Sequence, residues 1–395
     1  MSTKNMRLTP AVVLSSHTIG LAVIRGLGSM GVPIIAVSYQ RDADMGYSSK
    51  YVIEKIFSPH PERDEESFIK LLIEYAKNKH QKFHLIPADD ATLITVSKNK
   101  NKLNEYYITQ CTDWEITQQF LDKKYTYFLA EKIGVPAPKT FFIKNINEIE
   151  RFAEIVGFPC IIKPCYSHRY FERFRKKMVK VNNLHDLKEE FLKADRSGIE
   201  VMIQELIEGD DTLGVNYNSV FINGEPMVEF VAEKVRLSPP SFGVPCVVKS
   251  CDYIPDVVES GRKFLKAMNF NGYSCTEFKK DLKDNRYKLM EVNGRHNRSG
   301  LLSIKCGINF PWIMYGYYNG QKVNHVNSYR KNIYWIDEFK DTVTTGKRIL
   351  SGKYSIIDFL KPYFRRHIFA IFDWRDINPF IRRIINAFKM FKLKS

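Results

Sequence analysis

Residues 287–300, YKLMEVNGRHNRSG, constrain the fold of this chain more than any other run. Tyr287, Leu289 and Glu291 alternate with Lys288, Met290 and Val292, the period of two that marks a strand. Asn293-Gly294 ends the run, a pair that tolerates positive φ and breaks a ladder. Glu291 and Asn293 are two apart and leave the same face of the strand. A carboxylate and an amide oxygen converging in this way suit a hard divalent cation such as Mg²⁺ or Mn²⁺. Arg295 and Arg298 follow within a turn, where guanidinium groups can clamp developing phosphoryl charge.

A second acidic run lies upstream. Residues 272–278, GYSCTEF, read as another short strand, and a turn around Lys283-Asp284-Asn285 links it to Tyr287. An antiparallel pair joined there sets Glu277 beside Glu291, giving two carboxylates and an amide for one or two cations.

A chain of 395 residues suffices for two or three domains, and 44% hydrophobic and 13% aromatic residues is a globular composition. No continuous apolar run reaches the length of about 18 residues that a membrane span needs. The start, MSTKNMRLTPAVVLSS, lacks the apolar core of a signal peptide, so a cytoplasmic protein is expected. Seven scattered cysteines fit a reduced compartment. Cys160 and Cys165 flank the strand-like IIKP, where an odd separation puts their thiols on opposite faces and argues against a shared zinc. The net charge of +16, from 60 Lys and Arg against 44 Asp and Glu, calls for anionic partners. No zinc-finger, helix-turn-helix or RNP-like pattern accompanies it, so nucleic acid is not an expected partner.

The chain opens with a β-α-β pattern: an apolar strand at 11–14, an amphipathic helix over 18–30 and a second strand at 34–37. This predicts a parallel sheet. The first turn, SSHTIG, lacks the three-glycine dinucleotide fingerprint, which excludes an NAD site there. His17 is either polar loop or a ligand contact at the strand's C-terminal edge. Further strands are expected at 51–56 and 83–86, with a helix at 67–77 between them. Asp89 and Asp90 follow the last strand, as a helix cap or as substrate contacts. A helix over 118–132 carries Phe120, Leu121, Phe128, Leu129 and Ile133 on one side and stops at Gly134-Val-Pro. The strand FPCIIKP then delivers Lys163 between apolar residues, where an anionic partner such as phosphate would offset the cost of burial. The next loop has no glycine and is crowded with His168, Arg169, Arg173, Arg175, Lys176 and Lys177. Residues 201–211, VMIQELIEGDD, form a strand and hinge. Asn223-Gly224 joins strands 215–222 and 226–233 in a hairpin, and 260–268 reads as a helix.

Lys123, Lys163, QELIEGDD, Glu277 and E-x-N in this order resemble the ATP-grasp superfamily, over about residues 5–325. The resemblance implies an ATP-grasp fold of mixed α/β and α+β class. Its expected parts are an N-terminal parallel-sheet domain (1–115), a small subdomain with a phosphate flap (116–200) and a metal-bearing subdomain (201–328). It implies Glu277, Glu291 and Asn293 as metal ligands and Lys123 and Lys163 as contacts to ATP. Gln204, Glu205, Leu206 and Ile207 would meet adenine, and Asp211 the ribose. Arg173 and Arg175 of the basic flap would cover the triphosphate, and Arg295, with Arg298, would face a reacting acyl phosphate. His17, Asp89 and Asp90 would be contacts to the substrate. The implied activity is ATP-dependent carboxylate–amine ligation, similar to ligases of bacterial surface-polymer loci. A D-aspartate-type ligase for a cell-wall precursor, a phosphotransferase and a non-enzymatic nucleotide-binding scaffold stand as alternatives.

Residues 329–395 read as a basic helical tail. From Arg330 onward there are 15 Lys and Arg against 6 Asp and Glu, more than half of the net charge. Asn378-Pro379 is a good helix start. Ile377, Phe380, Ile381, Ile384, Ile385, Phe388 and Phe391 then form one stripe flanked by Arg382, Arg383, Lys389, Lys392 and Lys394. Such a helix either docks on the body or lies on an anionic membrane surface.

Overall fold

The computed structural model describes residues 8–40, 44–166, 170, 173–326 and 328–392, with side chains as far as Lys389. His168 and Arg169 of the basic loop lie outside the described residues.

The alternating β-α units at the start form a five-stranded sheet in the order β3-β2-β1-β4-β5, parallel throughout. Its strands are β1 (Ala11–Leu14), β2 (Ile34–Ser38), β3 (Val52–Phe57), β4 (Phe83–Pro87) and β5 (Tyr107–Thr109). Every residue of β1, β2 and β4 is buried, as a parallel sheet covered by helices on both faces requires. The helix Thr18–Gly28 starts with the His17 side chain accepting the Ile19 N–H. That cap places His17 at the C-terminal edge of β1, where ligands of open α/β sheets bind.

The expected helix over 118–132 is two helices, Trp114–Leu121 and Lys123–Lys132. Asp122 takes an extended conformation between them and caps the second by accepting the Lys124 N–H. Across the break, Phe120, Leu121, Leu129 and Ile133 still pack in or against one core, and of the expected stripe only Phe128 is turned out. The second helix buries Lys123, Thr126, Tyr127 and Ala130, while Phe128 is 63% exposed.

A four-stranded antiparallel sheet follows, in the order β6-β9-β7-β8: β6 (Thr140–Phe142), β7 (Cys160–Pro164), β8 (Val179–Val181) and β9 (Val201–Glu205). It has its own core around Ile149, Ile162, Leu187 and Phe191. The boundary expected at residue 200 therefore falls too early, because β9 is a central strand of this sheet.

The third sheet has seven strands in the order β14-β13-β10-β11-β12-β15-β16. They are β10 (Gly214–Ile222), β11 (Glu225–Ser238), β12 (Val244–Ser250), β13 (Gly272–Lys280), β14 (Tyr287–Asn293), β15 (Tyr334–Ile336) and β16 (His367–Phe369). Asn223 and Gly224 both take positive φ, 51° and 80°, in the β10–β11 hairpin, as a two-residue turn of that twist demands. The helix expected over 260–268 begins earlier, at Pro255, whose fixed φ suits a first helical turn. The core of the first sheet is continuous with one side of the third: Leu14, Phe68 and Leu85 cluster with Phe120, Phe264 and Phe278.

Composition suggests a separate tail from residue 329, yet β15 and β16 complete the third sheet, with Trp335 fully buried. Beyond them, the helix Asn378–Lys392 lies against the Met45–Ser48 turn of the first domain. Asp376 anchors that crossing. Its carboxylate accepts from Arg25 Nε at 2.9 Å, Ser49 Oγ at 2.8 Å and the Lys50 N–H at 2.8 Å. The single stripe expected on the last helix is divided: Phe380 packs into the body beside Phe339 and Phe372, whereas Ile381, Ile385 and Phe388 are 45%, 44% and 68% exposed. No helix among the described residues is long and apolar enough to cross a membrane.

Candidate active site

β13 and β14 pair antiparallel with Glu277 directly opposite Glu291. The alternation read from the sequence places Leu289 and Glu291 on one face; the structure separates them. A bulge lies here, since Leu289 opposes Phe278 while Glu291 opposes Glu277. The extra residue turns Leu289 and Val292 together into the core beside Phe278 and leaves Glu291 and Asn293 facing the same cavity as Glu277. Within the bulge the Leu289 N–H donates to Pro136 O at 2.7 Å, so the departure from the ladder costs no backbone hydrogen bond.

Each carboxylate has a lysine. Lys123 Nζ lies 2.6 Å from Glu291 Oε1, and Lys234 Nζ donates to Glu277 Oε2. Burial raises the Glu291 carboxyl, but the Lys123 ammonium outweighs it and holds the group at about 2. Burial lowers both lysines, and the two carboxylates more than reverse this, so Lys123 and Lys234 stay charged. Asn293 Nδ2 donates to Glu277 Oε1 at 3.3 Å, which fixes the amide so that its oxygen is free of that contact. Glu277, Glu291 and Asn293 thus form an all-oxygen donor set on adjacent strands, the chemistry that a hard cation takes.

Lys163 is buried on β7, and its Nζ donates to the Tyr127 hydroxyl at 2.6 Å. That hydroxyl donates in turn to Met290 O at 2.7 Å. Burial and the Lys123 charge pull the Lys163 ammonium below its ordinary range. A cation held by a neutral hydroxyl is a ready acceptor of an anion.

Arg295 forms a bidentate pair with Asp90, Nε to Oδ1 at 2.6 Å and Nη2 to Oδ2 at 3.1 Å. The pair ties the end of β14 to the C-terminal edge of β4. Burial raises the Asp90 carboxyl, and the guanidinium overcomes it, leaving Asp90 below the usual range. Asp89 serves as a helix cap, accepting from the Thr92 N–H at 2.8 Å and from the Tyr39 hydroxyl at 2.6 Å. His17 Nε2 stands 3.7 Å from Asp89 Oδ2, with burial lowering its pKa. Arg298 Nη2 is paired with Asp337 at the start of the helix Glu338–Leu350. His296 stacks on Tyr273, and burial, then Arg295, push it down to about 4.

Most of these groups line one cavity of about 620 Å³ where the three sheets meet, with Asp89, His296 and Tyr127 outside its lining. The structure brings together His17, Asp90, Lys123, Lys163, Asp211, Glu277, Glu291, Asn293, Arg295 and Arg298 around it. The other expected residues stand apart. Arg173 and Arg175 are exposed and are not part of the lining, whereas Lys177 is. Gln204, Glu205, Leu206 and Ile207 also lie outside the lining, and the Lys279 side chain occupies the end of the hinge. Its Nζ donates to Ile207 O and Gly209 O, both at 2.9 Å. The Asp211 carboxylate accepts the Leu237 and Ser241 N–H groups at 2.9 and 2.8 Å, so it braces the loop after β11.

Sequence reasoning missed Tyr127, Lys234, Lys340 and Arg383 in this lining or its support. Lys234 alone carried a signal, a lysine within the apolar strand EFVAEKV. Lys340 and Arg383 belong to the region that composition assigns to a dispensable tail.

The N-terminal parallel sheet and the two further sheets around one lysine- and carboxylate-lined cavity make this an ATP-grasp fold. The chain is 25% identical over 256 residues to a D-aspartate ligase of Enterococcus faecium, a match covering 62% of this chain and 60% of that protein. Among solved structures, biotin carboxylase from Campylobacter jejuni superposes with a TM-score of 0.65 at 18% identity, over 84% of this chain and 75% of its own. An L-amino acid ligase from Bacillus licheniformis gives 0.62 at 16% identity, over 80% and 75%. The chain thus spans about 60% of the length of the D-aspartate ligase it matches. No family model matches the chain.

Proposed function

We propose that this chain is an ATP-dependent carboxylate–amine ligase. The observation that carries the reading is the opposition of Glu277 and Glu291, each held by a lysine, in the cavity that also receives Lys163 and Arg295. Glu277, Glu291 and Asn293 would hold Mg²⁺, which neutralises charge on the ATP phosphates when bound. Lys123 and Lys163 would hold the phosphate tail, and Lys177 lines the same cavity. A substrate carboxylate oxygen attacks the γ-phosphorus and the bond to ADP breaks, leaving an acyl phosphate. Arg295, oriented by Asp90, stabilises the negative oxygens of that intermediate. An amine nitrogen then attacks the acyl carbon, the C–O bond to phosphate breaks, and the departing phosphate takes up the proton released from nitrogen. Catalysis here is positioning and charge stabilisation. Adenine would lie toward Asp210 and Asp211, and pairing with the hinge at Gln204–Ile207 would require Lys279 to release Ile207 O.

A relative named D-aspartate ligase supports an amino acid as the carboxylate, and a cell-wall or surface-polymer precursor as acceptor is the companion reading. ADP release that needs Mg²⁺, a carboxylate and an amine together tests the proposal, read across amino acids and amino-sugar precursors. Stable incorporation of phosphate into product would instead identify a phosphotransferase.

A second reading concerns location. The C-terminal part leaves Ile356, Ile357, Phe364, Trp374 and Phe388 more than half exposed, among the basic residues that hold most of the net charge. Apolar side chains flanked by cations favour peripheral contact with an anionic inner membrane face, which would bring a cytoplasmic enzyme to a lipid-linked acceptor.

A further inference from the structure

Resting on that reading of the cavity, we infer that Arg298, Lys340 and Arg383 form a subsite for the phosphate group of a phosphorylated co-substrate. The three cations come from three elements: the turn after β14, the first turn of the helix Glu338–Leu350, and the last helix. All three line the same cavity as Glu291 and Arg295, with Ile371 beside them.

Elsewhere in the cavity four lysines have partners: Lys123 and Lys234 are matched by Glu291 and Glu277, while Lys163 donates to the Tyr127 hydroxyl and Lys279 to the Ile207 and Gly209 carbonyls. Here one lining carboxylate, Asp337, stands against three cations. It is already engaged, accepting from Arg298 Nη2 and, through Oδ1, from the Lys340 N–H at 3.0 Å. The adjacent Glu338 does not join the lining, and its carboxylate accepts the Ile371 and Phe372 N–H groups at 3.4 and 2.8 Å. Neither the Lys340 ammonium nor the Arg383 guanidinium has a carboxylate partner among the described residues. The Arg383 guanidinium is held over the Phe339 ring, 5.4 Å from its centroid, which steers the group without neutralising it.

Burial, followed by the charge of Arg298, pulls the Lys340 ammonium below its ordinary range, the sign of a half-buried cation short of counter-charge. The helix Glu338–Leu350 adds the positive end of its dipole at the same point. Three cations carried by three separate elements suit a dianion with several acceptor oxygens better than a planar carboxylate, which one bidentate guanidinium would satisfy. A phosphate or diphosphate ester on the acceptor supplies that group.

The test uses the full chain with its nucleotide site filled by Mg²⁺ and a non-hydrolysable ATP analogue, titrated with inorganic phosphate by calorimetry. Binding of the analogue reports on the ligase reading by itself; binding of phosphate to the loaded protein reports on the subsite. Arg383→Gln and Lys340→Met should each weaken phosphate at least fivefold. Arg382→Gln removes the same charge from an exposed neighbour and should leave the affinity unchanged. Loss of equal size in Arg382→Gln and Arg383→Gln would reduce the effect to overall charge and overturn the subsite. So would failure of the loaded wild type to bind phosphate, or tighter binding of succinate than of phosphate. Melting curves of both cavity variants establish that they are folded, and either one alone decides the question.

Discussion

Lys123 Nζ and Glu291 Oε1 lie 2.6 Å apart although 168 residues separate them in the chain. The contact joins the first turn of a helix to the bulged end of β14, and so fixes how the Asp122 cap meets the E-x-N strand. It also pairs the candidate metal ligand with the candidate phosphate ligand. A cation at Glu291 would free Lys123 for a phosphate, so the two roles are linked.

Glu291→Gln should therefore lower ADP release at least 100-fold while leaving a cooperative melting transition. Removing an anionic oxygen from the donor set weakens the metal, and the buried Lys123 loses its counter-charge in the same step. Turnover within a few-fold of wild type at moderate Mg²⁺ would falsify the assignment of this strand.

The same pair sets a pH signature. The folded Glu291 carboxyl is held at about 2, below its ordinary 4.5. A group whose folded pKa is depressed stabilises the protein above its unfolded value and loses that contribution as pH falls toward the folded value. The melting temperature of wild type should thus approach that of Glu291→Gln between about pH 4.5 and 2. A constant gap across that interval would show that the ion pair does not hold the carboxyl down.

What could be read from sequence divides along the range of the interactions involved. The β-α-β opening and the Asn223-Gly224 hairpin are written in local pattern, and both appear close to expectation, except that β11 runs on to Ser238, five residues past the expected end. The pairing of Glu277 with Glu291 was also legible, because one short turn sets the register. The bulge at Glu291 was not, since it depends on Pro136 accepting an N–H from outside the sheet. β15 and β16 have three residues each, too few for a period of two to show. Arg383 is brought to the cavity by long-range contacts, with Asp376, seven positions earlier, fastened to Arg25 in the first domain and Phe380 packed against Phe339 and Phe372.

In the basic loop, the residue to change is Lys177. It lines the cavity, whereas Arg173 and Arg175 are exposed away from it. Lys177→Ala should raise the KM for ATP several-fold, with a shallower dependence on ionic strength than wild type. Arg173→Ala should change KM less than twofold. Equal effects from both would mean that the loop closes further over the nucleotide than this arrangement.

Asp376→Asn tests whether the C-terminal region is part of the body. The carboxylate accepts from Arg25, Ser49 and Lys50, and Arg25 is itself buried, donating also to Ile371 O at 2.7 Å. Removing one partner of a buried pair costs about 3–5 kcal/mol, because the other charge stays in a dry site. Denaturant titration should show a loss of that order, accompanied by lower ADP release as Arg383 loses its position. A loss below about 1 kcal/mol would place the crossing among ordinary surface contacts.

The last helix offers the sharpest separation of membrane contact from folding. Phe380 is turned into the body, so truncating the helix would disturb the cavity together with the surface. Ile381, Ile385 and Phe388 are spaced at four and three positions and share an exposed strip beside Arg382 and Lys389. Burying such side chains in a lipid interface contributes about 1.5–3 kcal/mol each, and each nearby cation about 1 kcal/mol. Replacing all three with Ser should abolish co-sedimentation with vesicles rich in phosphatidylserine and leave ADP release on soluble substrates unchanged. High salt should weaken the wild-type association without abolishing it, because the apolar part is not screened. If the triple variant sediments as well as wild type, or if wild type does not sediment at all, the strip has another use and the acceptor reaches the cavity from solution.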